Sequence, residues 1–270
     1  MRILLAALLL ALGLPSLAAQ RVVSLAPSMT DSVLELGAGA RLVGVLDGDE
    51  RPAQLAALPS LGRYGQLNLE RLLSLRPDLV LVWPGSIPEA QMARLRNLGL
   101  TLYVAEPHRL EDIPKQLEEL GALLGAGEKG AALAADFRGR IAELRREYAR
   151  ERPLRLFYQV WNRPLYTLGG QQVVSDALQV CGARNLFDDL QLPAPQVGLE
   201  AVLARDPEVI LAPTAEQAGE WQAMKQLSAT RLGQLWVLPD RNLERPSYAM
   251  LAATEKLCRL LAGAKTADRP

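Results

Sequence analysis

The chain has 270 residues, of which 49% are hydrophobic and 22% charged, with basic and acidic side chains in equal number. That balance argues against nucleic acid or an anionic membrane surface as the main partner, and the length is ample for two lobes with their own cores. With one histidine and two cysteines, neither a multi-histidine nor a cysteine-rich zinc site can be built.

Residues 1–19 read as an export leader. Arg2 gives the charged start, residues 3–14 the apolar run, and Ser16-Leu17-Ala18 or Leu17-Ala18-Ala19 a small-residue cleavage site. The run is short for a bilayer span, and no cysteine follows it to carry a lipid anchor. The expectation is a soluble exported protein, and its removed leader would leave one acidic residue in excess.

The N-terminal lobe is assigned to residues 20–125. It opens on the apolar strand Val22-Val23-Ser24-Leu25-Ala26, turns at Pro27, and continues in a helix capped by Ser28 or Thr30 and ended at Gly37. Further apolar runs fall at 42–46, 79–83 and 100–105, with helical stretches such as 88–98 between them. Strands without alternation, separated by helices, predict a parallel sheet covered on both faces. The interlobe segment, 126–152, holds an amphipathic helix over 128–150 with Leu133, Phe137, Ile141, Leu144 and Tyr148 on one stripe. At about 1.5 Å per residue it is roughly 35 Å long. It is either a stiff connector between lobes or an ordinary core helix of one. The C-terminal lobe, 153–270, restarts with a strand at 154–160, adds another at 235–238, and closes with a helix over 248–261.

The two lobes share a phrase. Leu69-Glu70-Arg71-Leu72-Leu73-Ser74-Leu75-Arg76-Pro77-Asp78 recurs 130 residues later as Leu199-Glu200-Ala201-Val202-Leu203-Ala204-Arg205-Asp206-Pro207-Glu208, each copy followed by an apolar strand. One supersecondary unit per lobe implies two similar halves with a cleft between them, a favoured place to hold a small molecule.

Catalytic signatures are scarce. There is no P-loop and no G-x-S-x-G, and a serine triad could be assembled only around His108, whose flanks mark no nucleophile. Aromatic placement is the positive signal. Trp83 and Trp161 each sit at a strand end, with Tyr64 and Tyr166 in nearby turn-rich segments. Ligands of open α/β sheets bind beyond the carboxyl ends of the strands, so a flat apolar ligand between the lobes is expected. His108 reads as a solvated loop residue, with axial ligation of cobalt or iron as the alternative. Glu70 and Glu200, in the first turns of the repeated helices, either serve the helix dipole or present paired charges to a two-fold partner. In an exported protein Cys181 and Cys258 read as one disulfide, the alternative being two buried free thiols.

These residues resemble the periplasmic vitamin B12-binding proteins of bacterial ABC importers, in the helix-linked (class III) group of metal-chelate receptors. The similarity runs through Arg21-Val22-Val23-Ser24-Leu25-Ala26-Pro27, Asn68-Leu69-Glu70-Arg71, Arg76-Pro77-Asp78-Leu79-Val80 and Trp83. In the second lobe it covers Val180-Cys181-Gly182, Asn185-Leu186-Phe187, Pro195-Gln196-Val197, Val202-Leu203-Ala204-Arg205, Leu243-Glu244-Arg245 and Leu257-Cys258. The resemblance implies an α/β fold of two Rossmann-like lobes with central parallel sheets joined by one long helix. It also implies a Cys181–Cys258 disulfide and a monomer that binds cobalamin or a related corrinoid as cargo, with no cofactor, no metal site and no catalysis. By position it implies ligand contacts from Pro27, Trp83, Asn242, Leu243, Glu244 and Arg245, with Tyr64 and Tyr166 replacing other aromatics, and docking of Glu70 and Glu200 on arginines of the membrane permease. Two departures stand out: Ala194 and Gly48 occupy places where relatives carry Trp and Tyr, and Trp161 is the candidate replacement. Haem or a ferric siderophore is the competing cargo, and a secreted hydrolase the competing class.

Overall fold

A computed structural model describes residues 18–47 and 53–267. Most of the leader, and Gly48, lie outside the described residues. The first lobe runs β1 (Val22–Ser24), α1 (Pro27–Glu35), β2 (Leu42–Asp47), β3 (Ser60–Arg63), β4 (Gln66–Leu67), α2 (Leu69–Ser74), β5 (Leu79–Val82), α3 (Glu89–Asn97), β6 (Leu102–Val104) and α4 (Asp112–Leu123). Its sheet has the order β4-β3-β2-β1-β5-β6, parallel except where β4 returns against β3.

Both sheet faces are covered, which explains the uninterrupted apolar strands. Val22, Leu79 and Leu81 pack with Met29 and Val33 of α1 and Ile113 and Leu117 of α4. Their alternating neighbours Val23, Val80 and Val82 pack with Leu72 of α2 and Met92 and Leu95 of α3. The cap of α1 differs from expectation. Its N-cap is Ala26, which makes no side-chain bond, and Pro27 stands in the first turn. Proline has no N–H of its own to satisfy and its φ is already helical, which favours a helix start at this position. Thr30, within the helix, donates back to Ser24 Oγ at 2.9 Å.

The long helix α5 (Gly127–Glu147) follows α4 through a short turn. Gly125-Ala126-Gly127-Glu128-Lys129-Gly130 spells the dinucleotide-binding pattern, yet it joins two helices rather than a strand and a helix. Gly130 serves packing: a Cβ there would come within 2.6 Å of the Leu117 carbonyl oxygen of α4. Phe137, Ile141 and Leu144 of α5 are buried in one continuous cluster with Ile113, Leu117 and Leu120 of α4 and with Val180, Leu257 and Leu261 of the second lobe. The connector and core-helix readings therefore both hold. A linker whose apolar stripe is buried in both lobes is a stiff one.

The second lobe comprises β7 (Leu154–Asn162), β8 (Leu165–Thr167), α6 (Val173–Val180), β9 (Ala183–Asn185), α7 (Leu199–Arg205), β10 (Val209–Ala212), α8 (Ala215–Glu220), α9 (Ser228–Arg231), β11 (Leu235–Val237) and α10 (Met250–Ala262). The order β11-β10-β7 is parallel; the first half of β7 also pairs β9 in parallel and its second half pairs β8 antiparallel. Cys181 after α6 and Cys258 in α10 form a disulfide, with Cα atoms 4.5 Å apart and a sequence separation of 77. Closing a loop of that length stabilises the lobe by about 4 kcal/mol in the chain-entropy model.

The repeated phrase is repeated in three dimensions. Each helix, α2 and α7, ends on a non-glycine residue in the left-handed region before its proline, Arg76 (φ 45°) and Asp206 (φ 43°). Asp78 then accepts hydrogen bonds from the N–H groups of Gln20 and Arg21 at the start of β1, at 2.8 and 2.9 Å. Glu208 does the same for Arg155 N–H in β7, at 3.0 Å. The two arginines are equivalent as well: Arg21 donates to the Leu75 carbonyl and Arg155 to the Arg205 carbonyl, each satisfying the end of its repeated helix.

Candidate functional site

The parallel strands of each lobe deliver their carboxyl ends to one edge. In the first lobe these ends carry Pro27 after β1, Tyr64 after β3 and Trp83 after β5, and the strand order reverses between β1 and β5. Such a reversal opens a crevice at the edge of the sheet. In the second lobe, Trp161 lies near the end of β7 and a single turn, Arg241–Glu244, follows β11. Segments that follow these strand ends bond across the lobe boundary. Arg245 Nε donates to Asp31 of α1 at 2.8 Å, Ser247 Oγ donates to Glu35 at 3.0 Å, and Leu110 N–H donates to Asp176 at 2.8 Å.

Large aromatic side chains are exposed on both edges. Trp83 is 38% exposed, Tyr64 62% and Trp161 55%, and no other aromatic among the described residues is as open. Tyr64 and Trp83 lie side by side, ring centroids 6.1 Å apart and planes inclined by 41°. The indole rests on Gly85, where a Cβ would stand 2.8 Å from the ring, so the backbone fixes its attitude. Exposed apolar surface of this kind marks an interaction site.

Opposite, the register of β7 shifts between Gln159 and Trp161, so that Trp161 pairs with Tyr166 of β8 and places the two on one face. Tyr166 in turn forms a bridge with Gln196. Ala194 lies in the exposed bend two residues before Gln196. The Trp161 indole N–H donates to the Arg163 carbonyl at 3.2 Å, which holds the ring near the turn.

The 242–245 segment divides by residue. Asn242 and Glu244 are accessible, and Glu244 accepts from the buried Tyr158 hydroxyl at 2.9 Å; burial, with this carboxylate beside it, pushes the phenol well above its usual range. Leu243 corrects the sequence reading. Its side chain is fully buried in the main hydrophobic cluster, so it anchors the turn and does not face a ligand. Arg245 is already engaged, bridging to Asp31 and to the Pro27 carbonyl at 3.4 Å.

His108 is likewise more than a solvated loop residue. Its Nδ1 lies 3.1 Å from the Gln171 carbonyl of the other lobe, and its Nε2 3.8 Å from Glu106. Among the described residues no group of three or more His, Cys, Asp or Glu is placed to hold a metal ion. Glu70 and Glu200 lie exposed in the first turns of α2 and α7, where Asn68 caps α2 through its side chain and Gly198 caps α7 with backbone alone. Neither glutamate has a hydrogen bond or ion pair among the described residues.

Asp31 and Glu35 escaped the sequence reading, although two carboxylates one turn apart on the helix leaving β1 were a signal. Burial raises both above the usual carboxylate range. Arg245 opposes the shift at Asp31, and hydrogen bonds from Tyr248, Ala249 and Ser247 oppose it at Glu35.

Known proteins resemble the chain over most of its length. A family model described as periplasmic binding protein matches residues 22–231. The vitamin B12-binding protein of Vibrio cholerae serotype O1 is 36% identical over 250 residues, 90% of this chain and 89% of that protein. The crystal structure of the periplasmic vitamin B12-binding protein of Vibrio cholerae superposes with a TM-score of 0.83, covering 90% of this chain and 97% of that one. A periplasmic haem-binding protein of Vibrio cholerae superposes at 0.76 with 20% identity, covering 90% and 98%, which speaks for the shared fold alone.

Proposed function

This chain belongs to the periplasmic binding protein family and is a periplasmic protein, and from that premise we propose that it captures cobalamin or a closely related corrinoid between its lobes and delivers it to the permease of an ABC importer. The observation that carries this reading is the exposed aromatic surface at the strand ends of both lobes, Trp83 with Tyr64 on one and Trp161, paired with the half-buried Tyr166, on the other. A corrin ring is broad and apolar on its faces and amide-rich around its rim. Rigid aromatics supply large contact area to the faces at low entropic cost, and Asn242 and Glu244 offer polar groups to the rim. Kinship with a vitamin B12-binding protein points to the same cargo.

In this reading the protein performs no chemistry on the ligand and carries no resident cofactor. Pro27, Trp83 and Tyr64 form one wall, Trp161 and Tyr166 the other, and Arg245 holds the floor through Asp31. His108, whose Nδ1 is held at the Gln171 carbonyl, is not an axial ligand. Glu70 and Glu200 dock on permease arginines, their carboxylates being exposed and without a side-chain partner among the described residues.

The test is titration of the purified apo-protein with aquacobalamin, cobinamide and haem, followed by absorbance and calorimetry. Corrinoids should bind with sub-micromolar affinity and haem far more weakly. Failure of both corrinoids to bind below the micromolar range would defeat the proposal, and tight haem binding would replace it.

A further inference from the structure

Helix α10 receives no side-chain cap from its own N-cap residue, Ala249. Its N-terminus is instead held from the other lobe. Glu35 of α1 accepts from Ser247 Oγ at 3.0 Å, Tyr248 N–H at 2.9 Å and Ala249 N–H at 2.8 Å, partners more than 200 residues away in sequence. One turn earlier on α1, Asp31 takes the Arg245 guanidinium at 2.7 Å. The Tyr248 hydroxyl bonds Asp136 of α5 at 2.5 Å, so the linker helix joins the same cluster. Further along, α10 is cross-linked to α6 through Cys258.

We propose that Glu35 is a positioning residue for the cleft: by capping α10 across the lobe boundary it holds the 242–249 segment, and with it the spacing of the two aromatic walls, in place before ligand arrives. This rests on the cleft being the binding site. Separating the lobes would strip the N–H groups of Tyr248 and Ala249, at the entry to α10, and a serine hydroxyl of their acceptor at once, and leave a half-buried carboxylate without donors. The clasp acts on the side of the cleft where Arg245 enters, and α5 stiffens the same boundary through its shared core. The apo-protein therefore holds a single spacing, and ligand does not have to close it.

Spin labels on Arg94→Cys and Gln222→Cys, exposed positions in opposite lobes, report that spacing by pulsed dipolar spectroscopy with the native disulfide intact. The parent should give one narrow distance, unchanged by aquacobalamin. Glu35→Ala should broaden it in the apo state, narrow again on adding aquacobalamin, and bind about tenfold more weakly if a tenth of the molecules hold the competent spacing. Glu35→Gln, which keeps one acceptor oxygen, should recover most of both. A narrow distance and unchanged affinity in Glu35→Ala, even with a lower melting temperature, would overturn the proposal by leaving Glu35 a purely local cap. If Glu35→Ala does not fold, Asp31→Asn carries the same measurement, broadening supporting the clasp and a narrow distance overturning it. Should the parent bind no corrinoid, the functional reading falls while the distances still decide the clasp.

Discussion

The two copies of the helix–strand phrase use one backbone scheme and seat it at different depths. In the first lobe Asp78 pins the start of β1 from an exposed position. In the second, Glu208 has no exposed surface and gathers Arg155 N–H, Ala267 N–H and the Arg152 guanidinium around one carboxylate. Water can replace the partners of the first carboxylate and cannot reach those of the second. Equal sequence roles thus carry unequal energetic weight, and burial sets the difference.

Removing the two carboxylates would break or sharpen that comparison most directly. Glu208→Ala leaves buried donors and an unpaired guanidinium contact, and should cost about 3–5 kcal/mol. Asp78→Ala loses solvent-accessible hydrogen bonds worth about 1 kcal/mol. Urea unfolding of both variants measures the gap; equal losses would show that burial does not separate the copies.

The aromatic walls differ in the same spirit. Trp83 is braced by Gly85 and Tyr64, whereas Trp161 is held by one indole hydrogen bond at a shifted register. Trp83→Ala should weaken corrinoid binding by about 1–3 kcal/mol, since it removes a rigid apolar platform. Trp161→Ala should follow closely, because it removes the most exposed tryptophan among the described residues. Calorimetric titration checks both, and unchanged affinity in the two variants would put the ligand elsewhere.

These walls and the repeat were legible in the sequence because both are local. Strand-end tryptophans follow from short apolar runs, and the phrase announces itself by its own recurrence. The seam was not legible. Glu35 meets Ser247 across 212 residues, and nothing in either neighbourhood names the other. The burial of Leu243 was not legible for a related reason: its place in the 241–244 turn was visible, but which residue of the turn faces the core is decided by packing. The start of α1 is marked by Pro27, and not by a hydroxyl cap from Ser28 or Thr30.

Acid separates the seam from the lobe surfaces. At Asp31 and Glu35 burial raises the folded pKa, so their contribution to stability is fully present below the ordinary carboxylate range and lost as pH rises through the raised value. At Asp206 burial acts the same way, but hydrogen bonds from Ser228 and the charge of Arg155 outweigh it and lower the pKa. Its contribution is present above the ordinary range and lost as pH falls through the lowered value. Between pH 7 and about pH 4 the parent should therefore gain stability relative to Glu35→Gln, and below about pH 4 lose it relative to Asp206→Asn. Denaturant titrations at stepped pH read both slopes. A parallel pH dependence of parent and Glu35→Gln would remove the desolvation argument at the seam.

The smallest effect on the isolated protein, and the most telling for transport, concerns Glu70 and Glu200. If they serve only their helices, replacing both by Gln costs about 0.3–1 kcal/mol each from the helix dipole and changes nothing else. The copies are not equivalent even here, since α2 has the Asn68 side-chain cap and α7 has glycine, so more of the local cost should fall on Glu200→Gln. If the two carboxylates pair with permease arginines, the double variant should bind ligand normally in solution and dock more weakly on the reconstituted importer. The deficit should be largest at low salt and shrink as ionic strength rises, because rim charges act through steering that salt screens. Docking and uptake measured across ionic strengths decide between the roles. Parental docking at low salt by the double variant would leave these glutamates to their helices alone.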